Sequence, residues 1–247
     1  MEHLLTTDVA ISFLTLSLLE IVLGIDNLIF ISLCVNNLEE RYRKRARFIG
    51  LGLALVIRII MLLGITWIMR LTEPLFTLFD TGISIKDMLM LAGGGFLVAK
   101  ATFEMHADIA GEAEKKEMVA AKGFTGAILQ IAIIDLVFSF DSVITAVGLS
   151  PHLEVIIAAI VVSMVVMLAA SGSISAFLEK HPTFKMLALS FILMIGTLLI
   201  AEGLHFHVPR GYIYFSFAFS IFVEILNTFA SRRRKAKLAT SGNITKL

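Results

Sequence analysis

Two copies of an acidic motif lie inside long apolar stretches of this 247-residue chain. Each copy contains an acid, five further residues, a second acid and a small polar residue. The members are Glu20, Asp26 and Asn27 in the first copy and Asp135, Asp141 and Ser142 in the second. Corresponding positions are offset by 115 residues. Because ionisable groups in membrane spans are costly, such acids indicate a functional site. Oxygen donors with this much negative charge favour Mn²⁺, Mg²⁺ or Ca²⁺.

Helix geometry limits how one copy can use both of its acids. In an unbroken helix the two acids lie about 9 Å apart along the axis and point about 120° apart. One arrangement breaks the helix near Gly24 in the first copy and near Ser139 in the second, so that freed carbonyls can also bind a cation. In the other, two antiparallel helices cross, and the first acid of each copy approaches the second acid of the other. Both predict up to four converging carboxylates.

Three further polar residues within apolar stretches are candidates for accessory roles. Arg58 is the expected counterion, because the acids within the spans outnumber the bases and burial disfavours uncompensated charge. Glu224 and Asn227, three residues apart on one helical face, are expected to complete the ligand set or to carry protons. The chain has a single cysteine, which excludes a cysteine-based zinc site.

The composition predicts a membrane protein. Hydrophobic residues make up 57% of the chain and charged residues 17%, with a mean hydropathy of +0.90, whereas a soluble domain has about 25% charged residues. Each apolar block is long enough to cross a bilayer as a helix, and none alternates as barrel strands do. The blocks are roughly 9–35, 48–69, 85–103, 124–148, 153–177, 185–203 and 212–230. We therefore expect an all-α polytopic domain with seven transmembrane helices.

The basic residues predict the orientation of these helices. Seventeen Lys and Arg residues fall on one side and three on the other. The basic side is expected to be cytoplasmic, which leaves the N-terminus outside and the C-terminus inside. Spans one and four, which carry the acidic motifs, then cross in opposite directions as a 3+3 inverted repeat plus one helix. The expected divisions of this single membrane domain are repeat one at about 9–103, repeat two at about 124–203, an extra helix at 212–230 and a basic tail at 231–247.

Two smaller features complete the pattern. The run Gly93–Gly95 predicts close approach of two helices, since small residues let helix backbones meet. His205 and His207 lie at the outer end of span six near Glu202. We expect interfacial histidines there, with a low-affinity cation exit site as the alternative.

Three strings resemble the TerC family of integral membrane proteins. They are Leu-Leu-Glu-Ile-Val-Leu-Gly-Ile-Asp-Asn at 18–27, Asp-Leu-Val-Phe-Ser-Phe-Asp-Ser at 135–142 and His-Phe-His-Val-Pro-Arg-Gly-Tyr-Ile-Tyr-Phe at 205–215. The likeness runs from about residue 8 to residue 230 and is closest to short members without CBS domains. It implies a place in the LysE-type transporter superfamily and a link to Mn²⁺ efflux or to Mn²⁺ supply for exported enzymes. By motif, the six residues of the two copies would form the cation site.

These observations lead to one main hypothesis and two alternatives. The main one is a divalent-cation exporter of the bacterial inner membrane, with Mn²⁺ as substrate, a proton or monovalent cation as counter-ion and alternating access at the repeat interface. The first alternative is a membrane partner protein that assists metal loading or insertion of other proteins. The remote alternative is an intramembrane aspartyl protease with Asp26 and Asp141 as its dyad, although the second glycine of a Gly-x-Gly-Asp motif is missing. We expect no enzymatic activity, no prosthetic group and no nucleic-acid partner.

Overall fold

The chain folds into a helical bundle with one small hairpin. The computed structural model describes residues 7–78, 81–110 and 123–244. The helices are α1 Thr7–Leu23, α2 Ile25–Asn36, α3 Glu40–Leu63, α4 Ile65–Arg70, α5 Ile85–Ala110, α6 Gly123–Leu149, α7 Leu153–Lys180, α8 Pro182–Gly203 and α9 Arg210–Ile244. The strands are β1 Pro74–Leu78 and β2 Thr81–Ser84. The predicted all-α polytopic class is confirmed.

The helix lengths agree with the predicted membrane spans. Six helices, α3 and α5 to α9, are long and apolar enough to cross a bilayer. Helices α1 and α2 pass the same test together, with a bend of 40° between them. The described ranges therefore contain six candidate spans, or seven when the bent pair counts as one. The inverted relation between the two halves and their boundaries stay predictions.

The hairpin is the element that the hydropathy pattern did not predict. Strands β1 and β2 pair antiparallel, with Leu78 opposite Thr81, in a connection between two apolar blocks. Its exit also starts α5, because the Ser84 backbone N–H and hydroxyl both donate to Asp87 Oδ2, at 2.8 and 2.6 Å. This is a capping box, which satisfies donors at a helix start. We call this end of the bundle the hairpin end, and the opposite end, near Arg43, the basic end.

The predicted close approach of helices occurs between α5 and α8. A Cβ atom added to Gly94 would lie 2.6 Å from the Gly196 carbonyl oxygen, and one added to Gly196 would lie 2.9 Å from that of Gly94. Gly93 makes a similar contact with Val137 of α6, whereas a Cβ at Gly95 would meet nothing within 4 Å. Gly94 therefore allows two helix backbones to meet, and Gly93 makes room for the Val137 side chain.

Helix α9 lies at the periphery. It packs chiefly against α8, where the rings of Phe191 and Phe217 stack with centroids 3.9 Å apart. Only 6% of its membrane-spanning window is buried, and large apolar side chains such as Phe215, Phe222 and Phe229 are exposed. Such a surface suits lipid. The acids of spans one and four lie instead among α1, α2, α3, α6 and α7, which pack against one another.

Candidate functional site

The first motif lies at a break between helices. Helix α1 ends at Leu23, α2 begins at Ile25, and Gly24 lies between them. The Gly24 N–H donates to the Glu20 carbonyl at 2.8 Å, so the bent backbone keeps a helical hydrogen bond. A Cβ at Gly24 would lie only 2.5 Å from Met167 Sδ of α7. The predicted break near Gly24 is confirmed, and a side chain at this position would require Met167 of α7 to move.

The second motif lies on an unbroken helix. Helix α6 runs continuously through Ser139, so the predicted break at that residue is wrong. The reason is local, because Ser139 Oγ donates to Asp135 Oδ2 at 3.1 Å and Ser142 Oγ donates to the Ser139 carbonyl at 3.3 Å. Side chains about one turn apart lie on neighbouring parts of a helix face. The serines therefore satisfy their hydroxyl groups within the helix.

The first acids of the two copies meet at Arg58. Arg58 Nη1 lies 2.6 Å from Glu20 Oε2, and Arg58 Nη2 lies 3.4 Å from Asp135 Oδ1. The three side chains are 2%, 1% and 2% exposed, respectively. Asn27 Nδ2 donates to the same Asp135 Oδ1 at 3.0 Å. We call Glu20, Asn27, Arg58, Asp135 and Ser139 the central cluster.

This arrangement differs from both predicted ways of joining the acids. The crossing model pairs Glu20 with Asp141, whereas the structure pairs Glu20 with Asp135 through Arg58. Among the described residues, no three His, Cys, Asp or Glu side chains are grouped so that they could hold a metal ion. The structure therefore does not bring the four carboxylates together, because the Arg58 guanidinium takes up the space between two of them.

Asp26 follows the break directly. It lies in the first turn of α2 and is 6% exposed. A helix N-terminus favours negative charge, which lowers the cost of burying this carboxylate. Asp26 is adjacent in sequence to Asn27 of the central cluster, so the break places an acid and an amide together at the start of a helix.

Asp141 lies in a separate cavity near the hairpin end, which we call the outer pocket. Its volume is about 370 Å³, and its lining includes Asp141, Lys86, Glu202, His205 and His207. Asp141 lies six positions after Asp135, which corresponds to about 9 Å along α6. The Asp141 side chain is only partly buried. It lies on the side of the central cluster that faces this cavity.

The hairpin helps to shape the outer pocket. His205 has a positive φ of 66° and lies with its Nε2 atom 3.3 Å from Asp87 Oδ2. The same Asp87 oxygen accepts the hydrogen bonds from Ser84 that cap α5. The α8–α9 connection is thus tied to the start of α5. His205 and His207 therefore line a cavity that also contains the motif acid Asp141. Neither the expected interfacial role nor the alternative exit site specified that a motif acid would share this cavity.

Glu224 and Asn227 lie elsewhere. Glu224 lines a groove between α8 and α9 together with Pro182 and Ser190, and Asn227 is exposed. Their expected contribution to the ligand set requires a correction, because the structure keeps α9 outside α8 and away from the central cluster. Their shared helical face was predictable, but the position of α9 was not.

Ion pairs and hydrogen bonds hold the basic end together. Arg43 forms an ion pair with Glu179 of α7 and donates to the Asn36 carbonyl at 3.0 Å. Asn37 Nδ2 donates to Glu104 Oε1 at 3.0 Å, and Lys100 Nζ lies 3.3 Å from Glu104 Oε2. The Arg43 and Asn37 contacts join different segments at the end opposite the outer pocket, whereas the Lys100–Glu104 pair lies within α5.

Sequence reasoning missed two of these partners for identifiable reasons. Ser139 was considered only as a break point, although its position four residues after Asp135 placed it one turn away on the same face. The bonding of Asn37 to Glu104 joins residues 67 positions apart, and no local pattern indicates it.

Comparison with known proteins identifies the family. The model of the integral membrane protein TerC family matches residues 5–238. The chain is 51% identical over 219 residues to the UPF0053 inner membrane protein YgdQ of Escherichia coli K12, which covers 89% of this chain and 92% of YgdQ. A UPF0053 protein of Haemophilus influenzae is 47% identical over 230 residues, with 92% and 96% coverage, respectively.

A longer relative shares the same region. The UPF0053 inner membrane protein YoaE of Escherichia coli K12 is 46% identical over 235 residues, which are 94% of this chain but 45% of YoaE. No solved structure matches the chain. The family match over nearly the whole chain agrees with the helical membrane fold. The chain belongs to the TerC family of integral membrane proteins.

Proposed function

We propose that this protein is an inner-membrane transporter that exports a divalent metal cation, with Mn²⁺ as the preferred substrate. In this proposal the protein is a carrier and not an enzyme, and the metal is cargo. The protein works by alternating access, with Glu20, Asn27 and Asp135 of the six motif residues as ligands in the central cluster and Asp141 on the route of the ion. Inner-membrane location is supported by the relatives YgdQ and YoaE, which are named inner membrane proteins, and export is carried over from the family resemblance.

The central cluster is the observation that carries the proposal. It places one carboxylate from each motif deep inside a bundle of candidate membrane helices, with both in contact with a single cation, Arg58. Within the described part of the chain, Glu20 Oε1 and Asn27 Oδ1 are buried without a hydrogen-bond partner. Buried oxygens normally have partners. Carboxylate and amide oxygens left in this state are suitable ligands for a hard cation.

The two ends of the bundle support a route for the ion. The outer pocket contains Asp141 and lies one and a half to two helical turns from Asp135, while the basic end is held by the Arg43–Glu179 ion pair and the Asn37–Glu104 hydrogen bond. A cation released from the central cluster would next meet Asp141. It would then reach Glu202, His205 and His207, which line the outer pocket near the hairpin end. If the basic end is cytoplasmic, as the positive-inside rule predicts, this route leads outward.

The proposal can be tested in cells that lack their own Mn²⁺ exporter. Expression of the wild-type chain should lower intracellular Mn²⁺ during Mn²⁺ challenge, whereas Asp26→Asn and Asp141→Asn should not. Glu154→Gln is the matched control, because Glu154 is an exposed acid at the start of α7. Equal intracellular Mn²⁺ in wild-type and motif-variant cells would rule out Mn²⁺ efflux. Stable co-purification of metalloproteins without any ion flux would favour the partner-protein alternative.

A further inference from the structure

We infer that Arg58 is a built-in competitor of the transported cation, which occupies the ion's place in the empty carrier and must withdraw before the ion can bind. This inference rests on the proposed function. It assigns to Arg58 a role in exchange that goes beyond neutralising buried charge. A guanidinium attached to α3 would alternate with the metal ion between Glu20 and Asp135.

The contacts of Arg58 are the first reason. Its two terminal nitrogens approach one oxygen of Glu20 and one oxygen of Asp135, at 2.6 and 3.4 Å. These are the oxygens through which the two motifs would jointly hold an ion. A metal ion coordinates carboxylate oxygens at about 2.0–2.6 Å, so it cannot bridge the two acids while the guanidinium stands between them. Binding of either cation therefore excludes the other.

The incomplete bonding of Arg58 is the second reason. An arginine that serves only to hold helices together usually has its planar donors satisfied, because a buried polar atom without a partner is costly. Arg58 Nε is buried with no hydrogen-bond partner in the described part of the protein. Glu20 Oε1, beside the oxygen that Arg58 contacts, is in the same state. Both members of the Arg58–Glu20 pair thus keep a buried polar atom without a hydrogen-bond partner. This incomplete bonding suits a contact that has to open.

The charge balance of the site explains why the empty carrier needs Arg58. Without any cation, Glu20 and Asp135 together would carry two negative charges in an apolar interior. With Arg58 inserted they retain one net negative charge, and with a divalent cation in its place they retain none. Arg58 therefore keeps the empty carrier from burying two uncompensated charges, and its return would help to expel the bound ion.

A competitor and a purely structural counterion predict different effects of substitution. Loss of a competitor strengthens metal binding but slows turnover, because nothing displaces the ion. Loss of a structural counterion disorders the site and weakens binding and transport together. Tighter binding with slower transport is therefore specific to the inference.

The test uses the full-length protein in nanodiscs, with Mn²⁺ as the probe. We expect Arg58→Gln to bind Mn²⁺ about tenfold more tightly than wild type, since a tenfold change needs only a modest difference in binding free energy. Arg58→Lys, whose ammonium cannot span both carboxylates as a guanidinium does, should bind about threefold more tightly. Lys100→Gln is the control, because it removes a different partly buried base that pairs with Glu104, and it should bind like wild type.

Stability provides a second readout in case Arg58→Gln folds poorly. Mn²⁺ should raise its Tm more than it raises that of wild type, because a more tightly bound ligand stabilises more at equal concentration. Binding by Arg58→Gln and by Arg58→Lys that is equal to or weaker than wild type would overturn the inference.

Flux measurements separate the inference from the proposed function. In liposomes, Arg58→Gln should move Mn²⁺ at least about tenfold more slowly than wild type despite its tighter binding. If Arg58→Gln binds Mn²⁺ more tightly but wild type moves no Mn²⁺, the competition between Arg58 and Mn²⁺ for the site stands and the proposed transport fails. If neither protein binds Mn²⁺, both fail.

Discussion

The two acidic motifs have the same spacing but different backbones. In the first, Gly24 separates α1 from α2 with a bend of 40°, whereas in the second α6 continues through Ser139. The first acids of both copies nevertheless meet at Arg58. The two motif copies therefore share a buried carboxylate in contact with Arg58, but their local backbone structures differ. Packing against Met167 distinguishes the first copy, and a side-chain hydrogen bond distinguishes the second.

This difference indicates that α1 and α2 have a different role from α6. A helix pair joined at a single glycine can change its angle with few backbone torsions, and broken helices of this kind line binding sites in transporters. A continuous helix such as α6 provides a fixed wall that holds Asp135. We therefore expect motion during transport to be concentrated in α1 and α2.

Removing the cation that joins the two motifs should have the largest effect. Without metal, Arg58→Met leaves Glu20 and Asp135 buried without their shared partner, which typically costs about 3–5 kcal/mol. Unfolding of the purified protein in detergent measures this loss, and Lys100→Met is the control. Adding Glu20→Gln and Asp135→Asn to Arg58→Met should restore most of the stability. Equal stability of Arg58→Met and wild type would show that the motifs do not depend on this contact.

Filling the break should have the next largest effect. A Cβ at Gly24 overlaps Met167 Sδ, and overpacking of a close contact costs about 1–3 kcal/mol. Gly24→Ala should therefore lower the free energy of unfolding, while Gly95→Ala, which has open space around it, should have little effect. Adding Met167→Ala to Gly24→Ala should recover part of the loss. An unchanged free energy of unfolding in Gly24→Ala would contradict the packing origin of the break.

The serines of the second motif should have smaller, unequal effects. Ser139→Ala removes the hydroxyl that donates to Asp135. A hydrogen bond typically contributes about 1 kcal/mol to stability, and about 1.5–3 kcal/mol when its partner is charged. Ser142→Ala removes only a bond to a backbone carbonyl and should cost less. Unfolding measurements on the two variants would reject this ranking if Ser142→Ala proved the more damaging.

The outer pocket should matter for transport more than for folding. Because Asp141 is only partly buried, Asp141→Asn should change the free energy of unfolding by no more than about 0.5 kcal/mol. Its Mn²⁺ flux in liposomes should fall, since a carboxylate on the proposed route is lost. A variant with lower stability but normal flux would reverse the assignment and make Asp141 a structural residue.

Sequence reasoning identified the parts of the site better than their arrangement. Hydropathy located the spans, Gly24 indicated the break, and the excess of acids indicated Arg58 as a counterion, because each of these depends on local composition. The choice of partners depends on how helices rotate and pack. That is why the pairing of Glu20 with Asp135 and the peripheral position of Glu224 did not follow from the residue pattern.

Some features were available in the sequence but were interpreted differently. Ser-x-x-Asp at Ser84 and Asp87 is a helix-start signature, and Ser139 lies one turn after Asp135. The hairpin between α4 and α5 falls between two apolar blocks, where hydropathy carries no signal. The Arg43–Glu179 and Asn37–Glu104 contacts at the basic end join distant segments, so local spacing could not reveal them.

The central claim is that one acid from each motif forms the cation site. Mn²⁺ movement in liposomes containing the purified protein tests it most directly, with Glu20→Gln and Asp135→Asn compared with the exposed-acid control Glu154→Gln. We expect each motif variant to lose at least about tenfold in flux, because a buried charged ligand is removed, while the control transports like wild type. Flux that is equal in all four proteins would contradict the claim.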